Sequence, residues 1–431
     1  MKKWLLGLLL PVALLGVLLG WLFSGHGGEP QPASAVSAAV TPAALRDPAL
    51  IARGRYLATL GDCAGCHTAQ GGAPFAGGGQ VATPFGNIPV PNITPDRETG
   101  LGSWSFEAFW QALHAGTGRH GELLYPAFPY TSYTKVSRDD ALAMFAYLQS
   151  LPAVHRANRS PNLEFPYSVR RSVAAWRTLY FRQGEFQPDS GQSAQWNRGA
   201  YLVQGLGHCN ECHAARDSLG GTPQGESLTG GQIPQQNWYA PDLSTRQNGG
   251  LQGWGEQDIV DLLKTGHSAK GAAFGPMADV VASSTQHMSD VDLRAVATYL
   301  GSLPPRPLPA QQKSPFNVAA VVQQGGKVYA KRCADCHGSD GKGVAGIYPP
   351  LDGNSSVTEP TGINAIRVVL LGGFAPLTAA NPRPYSMPPF AQQLNDDDVA
   401  AVVSYIRRGW GNHATMVRPE DVSRYRQTPV D

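Results

Sequence analysis

Cys63-Ala-Gly-Cys66-His67, Cys209-Asn-Glu-Cys212-His213 and Cys333-Ala-Asp-Cys336-His337 are three writings of one pattern in a chain of 431 residues. Cys-x-x-Cys-His is the attachment signature of haem c, in which two thiols add across the vinyl groups and the adjacent His supplies the proximal nitrogen to iron. The chain has six cysteines, and these motifs use every one. A structural zinc site takes four ligands, so its Cys-x-x-Cys pairs come as close couples. Here consecutive motifs stand more than a hundred residues apart, and no second His lies at zinc-finger spacing. A thioredoxin-like motif calls for βαβ surroundings that the sequence does not show, and a disulfide framework belongs to shorter secreted domains. The reading is three covalently bound haem c groups. Cys63, Cys66, Cys209, Cys212, Cys333 and Cys336 attach them, and His67, His213 and His337 are the proximal ligands.

Around each motif the same elements recur. Asp47-Pro48 opens a helix, Asp at the N-cap and Pro at the first helical position. It carries Arg53-Gly54-Arg55-Tyr56-Leu57 towards Cys63, and Arg198-Gly199-Ala200-Tyr201-Leu202 repeats this before Cys209. Gly326-Lys327-Val328-Tyr329 is the looser third version. Downstream, residues 104–116 align without gaps on 254–266, with Phe109 matching Ile259 and Leu113 matching Leu263 on one helical face. Ile363, Ile366 and Val369 lead to Gly372 in the third unit, and each terminal Gly suits a left-handed C-cap. A closing helix starts at Ser137 with Asp140, Ser289 with Asp292, and Asn395 with Asp398, in capping-box spacing. Leu148, Leu300 and Ile406 recur at one interval after the acid, each preceded by Tyr. Such repetition is stronger than any single motif. The expected fold is all-α: three tandem class I-type cytochrome c domains behind an N-terminal transmembrane helix. The boundaries read 1–24 anchor or signal, 25–45 tether, 46–155 domain 1, 156–192 linker, 193–304 domain 2, 305–318 linker, 319–412 domain 3 and 413–431 tail.

Haem iron in an electron carrier usually takes a sixth ligand, from the loop between the second and closing helices, and Met raises the potential. The second unit offers Met277 and the third Met387. The first has Phe128 in Leu124-Tyr125-Pro126-Ala127-Phe128-Pro129, and a phenyl ring cannot bind iron. Met144 aligns with Val296 and Val402 on the closing helix and reads as core. His114 reads as a solvated helix residue. His120 is a candidate ligand, with an exposed loop His as its alternative; without it haem 1 is five-coordinate or water-ligated. Met288 fits a hydrophobic-staple position, while Met416 has no assigned role.

Lys2-Lys3 precede an uncharged apolar run, 4–23, that spans ~30 Å as a helix, matching the hydrocarbon core. It reads as a retained anchor, or else as a signal cleaved near Ala33-Ser34-Ala35. The positive-inside rule puts the body outside the cytoplasm either way, on the periplasmic face of a bacterial cytoplasmic membrane. The balance of 34 basic against 32 acidic residues gives no sign of a nucleic-acid partner. Arg170-Arg171 and Arg407-Arg408 read as solvated faces, with partner docking or propionate pairing as the alternative.

Thr83-Pro84-Phe85-Gly86, Asn92-Ile93-Thr94-Pro95-Asp96, Tyr125-Pro126-Ala127, Gly205-Leu206-Gly207-His208, Ser284-Thr285-Gln286-His287 and Trp410-Gly411-Asn412, with the helical motifs, extend the pattern through residues 46–425. On these the chain resembles the triheme cytochrome c subunits of membrane-bound periplasmic dehydrogenases. The resemblance implies a partner catalytic subunit of quinoprotein, flavoprotein or molybdenum type, with electrons leaving to ubiquinone or a terminal oxidase. Two departures mark this chain. Alcohol-dehydrogenase subunits have Met where Phe128 stands, and several relatives attach to the membrane by other means. Both suit the branch that accompanies molybdenum-type oxidoreductases. The sequence has no dinucleotide fingerprint, G-x-S-x-G elbow or H-E-x-x-H motif, so the expected role is electron transfer without substrate chemistry. The alternatives are a stand-alone haem enzyme that uses an open haem 1 on a small inorganic substrate, and a haem-based storage or sensing module.

Overall fold

A computed structural model describes residues 40–244, 250–251, 253–304 and 318–427. The chain divides into two compact units: Met1–Leu57 with Cys66–Phe186 and Ser218–Gly221, and Ala58–Gly65 with Gln187–Asp217 and Thr222–Asp431. Helix α1 (Pro48–Leu60), which lies in unit 1 as far as Leu57, begins where Asp47 accepts the Ala49 N–H at 2.9 Å. Helix α2 (Phe106–Ala115) is capped by Ser105 and closed by Gly116 at φ 60, ψ 37. Helix α3 (Arg138–Gln149) is capped by Ser137, whose hydroxyl accepts the Asp140 N–H. Strands β1 (Gln80–Thr83), β2 (Gly86–Pro89) and β3 (Asn162–Leu163) form an antiparallel sheet in the order β1-β2-β3. The segment expected as a linker therefore supplies a strand. It also supplies helix α4 (Ser172–Tyr180), in which Arg177 donates to the Ala115 carbonyl at the end of α2.

Unit 2 contains the other two repeats. The second runs through α5 (Ala194–Tyr201), a hairpin of β4 (Gly231–Ile233) and β5 (Trp238–Ala240), α6 (Glu256–Thr265), a hairpin of β6 (His267–Ser268) and β7 (Gly271–Ala272), α7 (Pro276–Ser283) and α8 (Asp290–Gly301). Gly266 takes the left-handed C-cap at φ 76, ψ 4. The third runs through α9 (Val318–Arg332), α10 (Ile363–Leu371) and α11 (Asp396–Arg408), with α12 (Pro419–Arg426) after it. The expected tail is thus partly helical: Val417 and Val422 are buried in the core formed by Tyr329, Ile366, Leu370, Val399 and Val403, and Arg426 bonds Asp396 at 2.6 Å.

Each repeat is closed by one crossing, made by a glycine of its first helix. A Cβ at Gly54 would overlap the Ala143 carbonyl and Tyr147, one at Gly199 the Ala295 carbonyl and Tyr299, and one at Gly325 the Ala401 carbonyl and Tyr405. Beside the crossing, Arg53 Nε donates to Asp140 at 2.9 Å and Arg198 Nε to Asp292 at 2.7 Å. Gln324 donates to Asp398 at 3.2 Å in the neutral version. The acid at the capping-box position is therefore held by the first helix of its repeat. Gly325, rather than Gly326, is the third crossing residue. The interval from Gly199 to Cys209 exceeds that from Gly54 to Cys63, and the π-helical turn Leu202–Leu206 takes up the surplus.

The expected fold class needs correcting. The described chain is helical cytochrome c repeats with small antiparallel sheets, and among the described residues no helix is long and apolar enough to cross a membrane. The apolar run 4–23, on which the transmembrane helix was read, lies outside the described residues. Gly372 also differs from expectation. Its φ of 85 is paired with ψ 170, because the chain turns there into the bridge between Gly373 and Met387. Arg407 is not solvated but fully buried, donating to the Val357 and Thr415 carbonyls at 2.6 and 2.9 Å. Gly199→Ala forces a methyl onto a backbone carbonyl, and overpacking of this kind costs about 3 kcal/mol. A lowered denaturant midpoint for the second repeat is the expected result; an unchanged midpoint would show that the crossing yields freely.

Candidate functional site

The three Cys-x-x-Cys-His motifs lie on short turns that follow the first helix of each repeat: Cys63–His67 and Ala334–His337 are α-helical, and Cys209–Glu211 is a 3-10 turn. Cys66 is exposed and the other five cysteines are half-buried. Burial and the neighbouring Cys212 push the Cys209 thiol up to about 12, and burial with Cys336 pushes Cys333 to about 11.

The imidazoles share one arrangement. His67 Nδ1 lies 2.8 Å from the Pro91 carbonyl, His213 Nδ1 2.7 Å from that of Pro241, and His337 Nδ1 3.1 Å from that of Pro349. A carbonyl can only accept, so in each ring Nδ1 carries the proton and the neutral ring keeps its lone pair on Nε2. Burial lowers all three imidazole pKa values, partly offset by the bond to the proline carbonyl. Desolvation thus favours the neutral form that a metal requires, and the carbonyl fixes ring and tautomer as an outer-shell partner does. The proline carbonyls were not foreseen. Their sequence trace is a proline placed at a different distance after each His, followed by Asn92 or Asp242 in the first two repeats.

Of the sixth-ligand candidates, Met277 lies in the first turn of a helix and Met387 in a loop, both between the second and closing helices of their repeats. In the second repeat the Ala273 N–H bonds the carbonyl of the C-cap Gly266 at 2.8 Å, and Met277 follows at the second position of α7. In the first repeat the Leu124 N–H bonds the Gly116 carbonyl at 2.9 Å. Phe128 follows Leu124 at the interval by which Met277 follows Ala273, and packs at 5.5 Å on Tyr133. Met387 exchanges backbone bonds with Gly373 at 2.8 and 3.1 Å and packs against the third core. Met144 is buried in α3, as expected of core.

His120 is exposed, and its Nε2 accepts the Arg119 Nε–H at 3.0 Å. His114 departs from the solvated position expected of it. It stacks on Trp110 at 4.5 Å, and Nδ1 bonds the Thr134 carbonyl at 3.1 Å. His267, directly after Gly266, was not singled out from sequence. Its Nε2 is buried with no hydrogen-bond partner among the described residues.

The cytochrome c family model matches residues 51–152 and 322–410. The cytochrome c subunit of a quinone alcohol dehydrogenase from Gluconobacter oxydans is 40% identical over 409 residues, covering 91% of this chain and 86% of the relative. The chain belongs to the cytochrome c subunits of dehydrogenases. A gluconate 2-dehydrogenase cytochrome c subunit from Pantoea cypripedii is 38% identical over 398 residues, covering 88% of this chain and 90% of that one. A nicotinate dehydrogenase subunit from Pseudomonas putida is 40% identical over 414 residues, which is 94% of this chain but 34% of that longer protein. Members of the cytochrome c family bind haem c covalently, and the donor set here fits it: paired thiols, and an imidazole with Nε2 kept for iron.

Burial lowers the His114 pKa, with the Thr134 carbonyl and Glu185 opposing and Lys135 and Arg138 adding to the shift. A depressed folded-state value means that the associated stability is present above the unfolded value, ~6.5, and is lost as pH falls through the folded one. In an NMR titration His114 is expected to protonate below the ordinary imidazole range, with stability of the first repeat declining in that interval. An ordinary titration midpoint would remove this contribution.

Proposed function

We propose that the chain carries three haem c groups, one in each repeat, and passes electrons from a dehydrogenase catalytic subunit to ubiquinone or a terminal oxidase. The threefold His Nδ1 to proline carbonyl bond carries this reading, because it presents a neutral Nε2 to iron in every repeat. Cys63 and Cys66, Cys209 and Cys212, and Cys333 and Cys336 form the thioethers, and His67, His213 and His337 are the proximal ligands. Met277 and Met387 take the sixth positions in the second and third repeats. Bound haem c supplies a one-electron iron couple. The protein's part is to orient the ligands, set the local charge and exclude water. Haem c is attached outside the cytoplasmic membrane in bacteria, so the repeats work on the periplasmic side.

The pyridine haemochrome of the purified chain is expected to give about three haems, one for each motif. Joint replacement of Cys209 and Cys212 by Ala should remove about one of them. Full haem content in that variant would sink the attachment assignment. Met277→Leu and Met387→Leu should each lower the midpoint potential of one component, since a thioether ligand raises it.

Phe128 favours a second reading for the first repeat, in which the sixth position is open to a small ligand. Carbon monoxide added to the reduced protein is expected to perturb about one haem in three, and no spectral change would exclude the open site. The cofactor of the co-purifying catalytic subunit separates the partner classes. Pyrroloquinoline quinone with calcium identifies a quinoprotein, flavin without molybdenum a flavoprotein, and molybdenum with iron–sulfur a molybdenum-type enzyme.

A further inference from the structure

Within unit 2, α10 of the third repeat meets hairpin β4–β5 of the second. Asn364, buried at 2% exposure, accepts the Tyr239 N–H at 2.9 Å and returns its side-chain N–H to the Tyr239 carbonyl at 2.8 Å. This two-bond ring lets a side chain do what a neighbouring strand does for a residue in a ladder. One turn further on, Arg367 is equally buried, and its guanidinium lies 4.7 Å over the Trp238 ring. Trp238 is also engaged with the segment that leads into Met277 at the start of α7: it packs on Phe274 at 5.5 Å, and a Cβ at Gly275 would come within 2.8 Å of it. The far end of α10 reaches the second methionine, through Gly372 and the bridge from Gly373 to Met387. A second contact keeps the same repeats in register, where the Ala379 N–H bonds Gln286 at 3.0 Å and Thr378 bonds the Thr265 carbonyl at 3.4 Å.

We propose that Arg367 of the third repeat is a positioning residue for the second: stacked on Trp238, it holds the segment that leads into Met277 and places a permanent positive charge beside it, raising the potential of the haem in the second repeat. The inference rests on the reading of one haem c per repeat. Arg stays protonated at any working pH and stacks well on an aromatic face. A cation in a low-dielectric interior favours whichever state of its neighbour is less positive, and for haem iron that is the reduced one. Glu359 at the start of α10 and Asp242 just after β5 are the nearby acids, and both act on Tyr239. The Glu359 carboxylate accepts the Thr361 and Asn364 N–H groups at 2.6 and 3.3 Å and interacts with the buried Arg407. Burial pushes the Glu359 carboxyl up, against the opposing pull of the Arg407 guanidinium, so what charge it carries is already shared with another cation. Neighbouring repeats consequently influence each other's potential through a side chain as well as through spacing.

The test is potentiometric titration of the full chain followed by visible absorbance, for wild type and Arg367→Gln, Arg367→Lys and Arg367→Met, with haem content measured on each. Loss of the charge in R367Q should move one titrating component to lower potential and leave the others in place. R367K should largely restore it, because it keeps the charge. Arg367→Met fills similar volume without charge, and it is read in the same way should R367Q not fold. Unmoved potentials in a charge-free variant with full haem content would overturn the proposal, as would a shift in R367K as large as in R367Q. Wild type lacking haem in the second repeat would instead overturn the function proposed above, and haemochrome content tells the two failures apart.

Discussion

A backbone carbonyl standing where a side chain would begin is the constraint on which each repeat depends. Gly54, Gly199 and Gly325 let the first helix lie against the carbonyls of Ala143, Ala295 and Ala401 closely enough that no Cβ fits. That approach leaves the tyrosine a turn later to pack against the first helix, and it brings the acid at the start of the closing helix within reach of Arg53, Arg198 or Gln324. Because the cysteine motif follows the first helix after a short interval, the crossing also fixes where the attachment turn begins. In the second repeat that interval is longer, and the helix absorbs the difference as a π turn without moving the crossing. Rewinding a turn is evidently easier than separating the helices.

Much of this was legible in the residues, and for identifiable reasons. Cys-x-x-Cys-His is tied to its chemistry by spacing, and the caps at Asp47, Ser137, Ser289 and Asn395 are local events that the structure reproduces. Gly116 and Gly266 close their helices as a left-handed C-cap requires. What escaped was written in groups that every residue possesses, or in contacts made far along the chain. Prolines are frequent in this chain and stand at a different distance after each His, so the carbonyl partners of His67, His213 and His337 could not be named. Gly325 and Gly326 are adjacent, and only the packed helix tells which one meets the carbonyl. Strands of two to four residues, such as Asn162–Leu163 and Gln80–Thr83, are too short for alternation to show. Arg407 looked solvated beside Arg408, because its acceptors at Val357 and Thr415 belong to other segments.

The repeats also diverge in the segment between the second and closing helices. Phe128 and Met277 stand at one interval after the residue that bonds the C-cap glycine carbonyl, and Met387 is reached by a different route, through a backbone bridge. A phenyl ring in that place contributes packing, here against Tyr133, whereas a thioether contributes a donor. One scaffold can therefore present unlike environments without any change in the helices that build it.

Covalent attachment explains why the loops are free to vary so widely. A cofactor held by two thioethers needs little from the intervening chain beyond one carbonyl to orient the neighbouring imidazole. The carbonyl comes from Pro91 after His67, from Pro241 after His213 and from Pro349 after His337, at three different separations, yet each stays within hydrogen-bond reach, between 2.7 and 3.1 Å. Proline suits the task, since its ring fixes φ and its carbonyl remains an acceptor although the residue has no N–H of its own. A chain with 50 Gly and 35 Pro can tolerate irregular loops on these terms. The order that matters is concentrated at the helix crossing and the imidazole, and the loops are left to make each repeat different.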